Sequence, residues 1–249
     1  MKTLVLDLET APNQAYTWGL FKQTISLGQL KESGSVIGVG VKWHDAPKVW
    51  FYSDFHDGHQ EMLEKVHALV DEADAIVTYN GVGFDMKWLR REWLLAGFPP
   101  PSPWKDIDLL RTVRSQFRFV SAKLANVTSE LGLSGKLHHT GFDMWVKCMA
   151  NDPKAWALMA RYCRQDVVTT GELYDRILPW IKGHPHMGLY GDTVEQNVCS
   201  TCGSANVQKR GFAYTALGRF QQYQCMSAGC GRWSRGKKLL DSVDLRGTS

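Results

Sequence analysis

The first ten residues of the chain place two carboxylates in an otherwise apolar strand. Leu4, Leu6 and Leu8 alternate in MKTLVLDLET, and the two-residue period of a β-strand sends them to one face while Asp7 and Glu9 share the other. A solvated strand face can carry the same two acids, so the pair alone decides nothing. The leucine run is too apolar for a peripheral edge strand. It predicts a central strand whose two acids need cations.

Two further motifs each add an acid at a place where helices are predicted. In YNGVGFD, Asp85 follows a strand, and an ordinary glycine turn with Asp85 capping the next helix explains it equally well. In YCRQD, Tyr162 and Asp166 stand four residues apart and therefore share one helical face. That spacing is also common on exposed helices, so each motif is weak by itself.

Taken together and in this order, LDLET, YNGVGFD and YCRQDVVTTGELY resemble the three motifs of the DEDD 3′→5′ exonucleases. The resemblance covers roughly residues 1 to 182. The histidine branch of that family places His five residues before the last Asp, where this chain has Arg161, whereas Tyr162 matches the tyrosine branch, DEDDy. The stretch 123–136 resembles family B polymerase exonuclease domains, and 16–30 resembles a segment of small phage-encoded exonucleases.

The resemblance implies a ribonuclease H-like fold and a site for two Mg²⁺ or Mn²⁺ ions about 3.5–4 Å apart. It implies that the ions cleave phosphodiesters to nucleoside 5′-monophosphates, and that Tyr162 orients the attacking water. It also places Thr10 and Asn80 beside the substrate. The implied metal ligands are the four acids Asp7, Glu9, Asp85 and Asp166.

The order of the predicted elements indicates an α/β fold with a mixed central sheet and helices on both faces. Periodicity predicts strands at 3–8, 35–43, 48–52 and 75–79, with the first three as antiparallel neighbours. Helices are predicted at 59–71, at 84–97, from an N-cap at Ser121 to Gly132, and from Asp152 toward residue 181.

Four cysteines near the C-terminus have the two-knuckle spacing of a tetrahedral zinc site. Cys199 and Cys202 are followed after 22 residues by Cys225 and Cys230, and the stretch resembles transposase zinc ribbons. The ion could serve only to hold a small domain together. A hairpin is predicted between the two cysteine pairs. The remaining cysteines, Cys148 and Cys163, are predicted to be buried small residues.

The C-terminal segment that carries the four cysteines also differs from the rest of the chain in charge. Residues 199–249 hold eight Lys or Arg against two acids, which favours contact with nucleic acid. We expect an exonuclease domain at 1–182, a linker at 183–198 and a basic ribbon at 199–249. The basic residues expected to hold substrate are Lys209, Arg210, Arg219 and Arg232.

No apolar run approaches membrane-spanning length, and six cysteines in a reducing compartment do not indicate disulfides. We therefore expect a cytoplasmic protein that does not bind membranes. His138 and His139 are predicted to be surface residues.

Three functions remain open at this point. The leading one is a 3′→5′ exonuclease acting on single-stranded DNA. The second keeps the chemistry but takes RNA, as in ribonuclease D-like relatives, because metals that address phosphate do not distinguish the sugar. The third is a non-catalytic nucleic-acid-binding or recruitment module. The sequence identifies no protein partner.

Overall fold

A computed structural model of the chain describes residues 1–135, 141–191 and 197–246. The chain divides into two compact units, one of Lys2–Leu173 and one of Met1 with Tyr174–Ser249. The predicted domain boundaries at 182 and 198 stay a prediction. His138 and His139 lie outside the described residues.

The first unit is built on a five-stranded mixed sheet. Its strands are β1 (Thr3–Thr10), β4 (Val36–Trp43), β5 (Val49–Ser53), β6 (Ala75–Thr78) and β7 (Lys105–Asp108), and two short strands, β2 (Gln14–Ala15) and β3 (Leu30–Glu32), pair separately. The spatial order is β5-β4-β1-β6-β7. The β5–β4 and β4–β1 pairs are antiparallel, whereas β1–β6 and β6–β7 are parallel. The predicted mixed sheet with a central first strand is confirmed.

Within the described residues, six α-helices accompany this sheet. They are α1 (His59–Glu72), α2 (Asp85–Leu95), α3 (Leu109–Gln116), α4 (Leu124–Glu130), α5 (Phe142–Met149) and α6 (Pro153–Ile177). The leucines of β1 pack with buried residues of α1 and α2 in one apolar cluster. Buried residues of α5 and α6 pack with Ile37 and Phe51 of β4 and β5 in another. Helices therefore cover the sheet on both faces, as predicted.

Several local predictions differ from the structure. Lys123, not Ser121, is the N-cap of α4, and its side chain makes no capping hydrogen bond. The Ser121 Oγ accepts a hydrogen bond from the Lys123 backbone N–H at 3.3 Å. The last long helix ends at Ile177, where a 3-10 turn over Leu178–Trp180 replaces the predicted continuation. Pro179 explains the change, because proline removes a backbone donor and disrupts α-helix geometry.

The second unit contains a three-stranded antiparallel sheet. Its strands are β8 (Val207–Tyr214), β9 (Gly218–Cys225) and β10 (Trp233–Ser242), in the order β10-β9-β8. The predicted hairpin between the cysteine pairs is confirmed, whereas β10 was not predicted. Among the helices in the described ranges, none is both long and apolar enough to cross a membrane.

Candidate active site

The two acids of β1 lie opposite glycines. Asp7 pairs with Gly40 of β4, and Glu9 pairs with Gly38. A Cβ built on Gly40 would lie 2.8 Å from the Cys163 Sγ and 2.9 Å from the Val167 Cγ2. Only a glycine leaves room for α6 at this distance, so Gly40 allows the helix to lie directly over the acidic face of β1.

Helix α6 brings the third motif to these carboxylates. The Tyr162 hydroxyl donates a hydrogen bond to the Asp166 carboxylate, as their four-residue spacing predicts. Burial raises the pKa of Tyr162 far above its usual value, and the charges of Asp166 and Glu9 add to the rise. Both residues are buried. The phenol therefore stays protonated and serves as a donor.

Asp85 reaches β1 from the other side. Strand β6 pairs with β1 only over Thr3–Val5, and beyond that stretch the Asp85 carboxyl group accepts a hydrogen bond from the backbone N–H of Leu8. Burial raises the pKa of Asp85 to about 7; the backbone N–H groups of Asp85 and Leu8 oppose this rise, and the charge of Asp108 adds to it. A nearby cation would stabilise the ionised form of a buried carboxyl group of this kind.

A tight turn sets the position of Asp85 at the start of α2. Asn80 has a φ of 74°, and its backbone N–H donates to the Asp108 Oδ1 at 2.9 Å. A Cβ on Gly81 would lie 2.2 Å from the Thr78 Oγ1, whereas the existing Gly81 N–H donates to that oxygen. Asp108 was not predicted, because the polar KDID run that ends in it gives little strand signal.

Cys163 is a second residue of the site that sequence reasoning missed. It is buried, as predicted, but its Sγ lies 3.7 Å from the Asp7 backbone oxygen and 3.8 Å from the Asp7 Oδ2. Ligand atoms of Asp7, Glu9 and Cys163 all lie within 4.8 Å of one another. Burial, followed by the charges of Asp7 and Glu9, holds the pKa of the thiol well above its usual value, so Cys163 is a neutral neighbour.

The carboxylates suit hard divalent cations. Glu9, Asp85 and Asp166 are buried and Asp7 is partly exposed. Carboxylate oxygens are the ligands that Mg²⁺ and Mn²⁺ prefer, and their grouping at one end of β1 provides negative charge that such ions would balance. Residues from three separate motifs thus lie beside β1, although among the described residues the group whose ligand atoms all lie within 4.8 Å comprises Asp7, Glu9 and Cys163 and does not include Asp85 or Asp166.

The second unit holds a separate group of four sulfur atoms. The four cysteine Sγ atoms lie within 4.8 Å of one another, and the pairs Cys199–Cys230 and Cys202–Cys225 are 3.7 and 3.6 Å apart. A tetrahedral Zn²⁺ with Zn–S distances of about 2.3 Å requires sulfur separations of about 3.8 Å. The cluster therefore fits zinc and is consistent with a small zinc ribbon.

The residues expected to touch substrate have different surroundings. Thr10 is partly exposed, Asn80 is exposed, and Lys209 and Arg210 are exposed on β8. Arg219 is paired with Asp241 and lies 4.8 Å from the ring centre of Phe212. Arg232 donates to the Pro179 backbone oxygen at 2.6 Å. The last two guanidinium groups are thus engaged within their own unit.

Comparison with known proteins shows a family to which the chain is similar and solved structures that share its fold. A family model described as the RNase_H superfamily matches residues 27–178, a range that begins after Asp7 and Glu9. The fold is similar to that of the family B DNA polymerase from the hyperthermophilic archaeon Pyrobaculum calidifontis, with a TM-score of 0.53 and 20% identity over 72% of this chain and 24% of the polymerase. The chain spans about a quarter of that protein. No curated protein matches this sequence.

Proposed function

Because this chain belongs to the RNase H superfamily, as the match over residues 27–178 indicates, we propose that it is a metal-dependent 3′→5′ exonuclease of the DEDDy type. Membership confirms the predicted ribonuclease H-like fold and supports a nuclease with a nucleic-acid substrate. The DEDDy assignment is supported most by one observation: the side chains of Asp7, Glu9, Tyr162 and Asp166 lie close together on one face of β1.

In this proposal four acids hold two Mg²⁺ or Mn²⁺ ions. When bound, such ions activate water and stabilise the charge that develops on a phosphoryl group under attack. Asp7 and Glu9 act from β1, Asp166 from α6 and Asp85 from the start of α2. Because these side chains are largely buried in a packed unit, the protein fixes their positions before substrate arrives.

Tyr162 has a positioning role in this scheme. A phenol with a raised pKa is a poor base at neutral pH, so it does not remove the proton from water. Its hydroxyl donates to Asp166, which orients the carboxylate and leaves the phenolic oxygen able to accept a hydrogen bond from water. Thr10 and Asn80 are proposed to contact the terminal nucleotide.

The ribbon is proposed to bind zinc and to contact the nucleic-acid strand. Lys209 and Arg210 have exposed side chains on β8, where they can approach phosphates. Exposed Tyr214 and Trp233 offer flat faces for unpaired bases. Arg219 and Arg232 would contribute to phosphate binding only by exchanging their present partners.

The proposed substrate is single-stranded DNA. An exoribonuclease is the second candidate, since nothing in a metal site that grips phosphate distinguishes the two sugars. A non-catalytic binding module is the third, and the presence of all four acids and the tyrosine weighs against it.

The test uses 5′-labelled DNA and RNA, single-stranded and duplex, with Mg²⁺ or Mn²⁺. We expect a ladder that shortens from the 3′ end of single-stranded DNA. Asp166→Ala should lower the rate by at least about 10³-fold, because it removes a ligand used in the reaction itself. Asp143→Ala is the matched control, since Asp143 is an exposed acid of α5 paired with Lys147. Tight binding without cleavage by the wild type would overturn the proposal in favour of a binding module.

A further inference from the structure

The segment between β2 and β3 exposes an unusual amount of apolar surface. We call residues 16–27 the aromatic loop. Tyr16, Trp18 and Phe21 are 70%, 100% and 84% exposed, and Leu20 and Leu27 are similarly open to solvent. Single exposed apolar residues are ordinary, but several in one short segment indicate a binding surface.

The base of this loop is firmly held. The Tyr16 backbone N–H donates to the Gln29 backbone oxygen at 2.9 Å. Beyond β3, the Arg91 guanidinium donates to the Gly34 oxygen at 3.1 Å and to the Ser33 Oγ at 3.2 Å. Hydrogen bonds therefore hold both ends of the aromatic loop, while the rings between them remain exposed.

Both ends of the aromatic loop lead to the candidate active site. The chain enters it a few residues after Thr10, at the end of the strand that carries Asp7 and Glu9, and leaves it for β4. Near this return, a Cβ on Gly34 would lie 3.4 Å from the Trp88 ring. That ring is 6.2 Å from the ring of half-exposed Phe84, the neighbour of Asp85. Trp88 and Phe84 thus place two aromatic rings between the segment that follows β3 and the start of α2.

The charge of the segment favours a phosphate-bearing occupant. The aromatic loop contains Lys22 and no Asp or Glu, and Lys31 and Glu32 follow it in β3, whereas residues 1–198 as a whole hold 21 Lys or Arg against 23 acids. An uncharged apolar partner would not require acids to be missing from this stretch. Flat exposed rings beside cations are the features with which proteins bind unpaired strands.

We propose that the aromatic loop binds the unpaired strand of nucleic acid that leads to the active site, with bases stacked on Tyr16, Trp18 and Phe21. The inference rests on the proposed function and gives a structural reason for its single-stranded substrate, because a base paired within a duplex has no free face to offer. Stacking is insensitive to sequence, so the loop would grip any unpaired strand.

The test compares two substrates of one active site. Thymidine 5′-monophosphate p-nitrophenyl ester needs only the carboxylate site, whereas a 5′-labelled oligo(dT) also reaches the loop. For Trp18→Ala/Phe21→Ala we expect the KM for oligo(dT) to rise about 10-fold or more, with the kcat for oligo(dT) and the turnover of the ester unchanged. Trp18→Phe/Phe21→Tyr keeps both ring faces and should retain the wild-type KM.

The matched control is Leu94→Ala/Leu95→Ala, which removes two apolar side chains that are 79% and 68% exposed on α2. It should leave both substrates unaffected. A KM for oligo(dT) within twofold of wild type in Trp18→Ala/Phe21→Ala would overturn the inference. So would a change confined to self-association, measured by sedimentation, because it would assign the loop to a second copy of the chain.

Binding keeps the two proposals distinguishable. Fluorescence anisotropy of labelled oligo(dT) with Asp166→Ala protein should show about 10-fold weaker binding when Trp18→Ala/Phe21→Ala is added. This result stands even if the wild type cleaves neither substrate, an outcome that would overturn the exonuclease alone. Equal binding with and without the two rings would overturn the loop inference alone.

Discussion

The two candidate metal sites of this chain are built in opposite ways. The carboxylates lie between positions 7 and 166 of the sequence, and a packed apolar core brings them together. The four cysteines lie within positions 199–230, and of the described residues 197–246 only Cys199, Thr201 and Cys225 are buried. In the first unit the fold assembles the candidate metal site, whereas in the second a bound ion would stabilise the fold.

The difference follows from the amount of apolar surface that each segment can bury. A small segment without an apolar core cannot offset the loss of chain entropy on folding. Structural zinc can supply that stability, because its ligands converge only in the folded state. A unit with a large core can instead hold several acids close together and still be stable before any ion binds.

Removal of zinc is the change that would most directly break this comparison. Structural zinc contributes roughly 10–16 kcal/mol of apparent folding free energy in small zinc domains. We therefore expect Cys225→Ser to unfold β8–β10 and leave residues 2–173 folded. Resonance dispersion in an NMR spectrum of the full chain, with zinc content by mass spectrometry, would check this. Cys148→Ser, in α5, should keep the zinc. A dispersed ribbon spectrum in zinc-free protein would contradict the account.

Gly40→Ala would sharpen the comparison on the side of the carboxylate unit. The new Cβ would meet the Cys163 Sγ at 2.8 Å and the Val167 Cγ2 at 2.9 Å, so α6 must shift away from β4. Overpacking of this kind costs about 1–3 kcal/mol, and the shift would also lower nuclease turnover. Urea denaturation and the oligonucleotide assay measure the two effects. Gly135→Ala is the control, because no atom lies within 4 Å of its Cβ position.

Tyr162→Phe tests whether the orientation of the Asp166 carboxylate, which the packed core fixes, affects the reaction. It removes the hydrogen bond to Asp166, and bonds to charged groups contribute about 1.5–3 kcal/mol. We expect turnover to fall about 10- to 100-fold with an unchanged pH profile, since the phenol does not titrate in the working range. The pH dependence of kcat for both proteins checks this. Loss of an ionisation from the profile would identify Tyr162 as a base instead.

The smallest effect that we expect is a pH dependence of metal affinity caused by Asp85. In the metal-free protein burial raises the pKa of the Asp85 carboxyl group to about 7, so that group is partly protonated at neutral pH. A cation must displace this proton, and metal affinity should therefore rise with pH, by about 10-fold between pH 6 and pH 8. Calorimetry with Mn²⁺ in that range measures it. In Asp85→Asn binding should be weaker and nearly independent of pH, and an equal pH dependence in both proteins would contradict this assignment.

Sequence patterns predicted much of the fold because burial follows periodicity in the long elements. The alternation of Leu4, Leu6 and Leu8 identified the central strand, and cysteine spacing identified the sulfur cluster. Strand β7 was missed because KDID is polar and follows a proline-rich stretch. Strand β10 was missed because its Gly and two Lys hide the alternation.

The candidate site shows where single-sequence reasoning ends. The motifs named the acids, but no local pattern indicates that Gly40 lies opposite Asp7, or that Cys163 approaches the same carboxylate. Both facts depend on strand register and on how α6 packs, and these are properties of distant contacts. The exposure of the aromatic loop is likewise invisible in a sequence, because its apolar residues resemble those of a core.

The central claim is that Asp7, Glu9, Asp85 and Asp166 together hold divalent metal ions. Electron paramagnetic resonance of Mn²⁺ added to zinc-loaded protein counts the ions bound. The account predicts two Mn²⁺ per chain for the wild type and for Asp143→Asn, and a loss of at least one in Asp7→Asn and in Asp166→Asn. Equal Mn²⁺ binding by all four proteins, or none by the wild type, would contradict it.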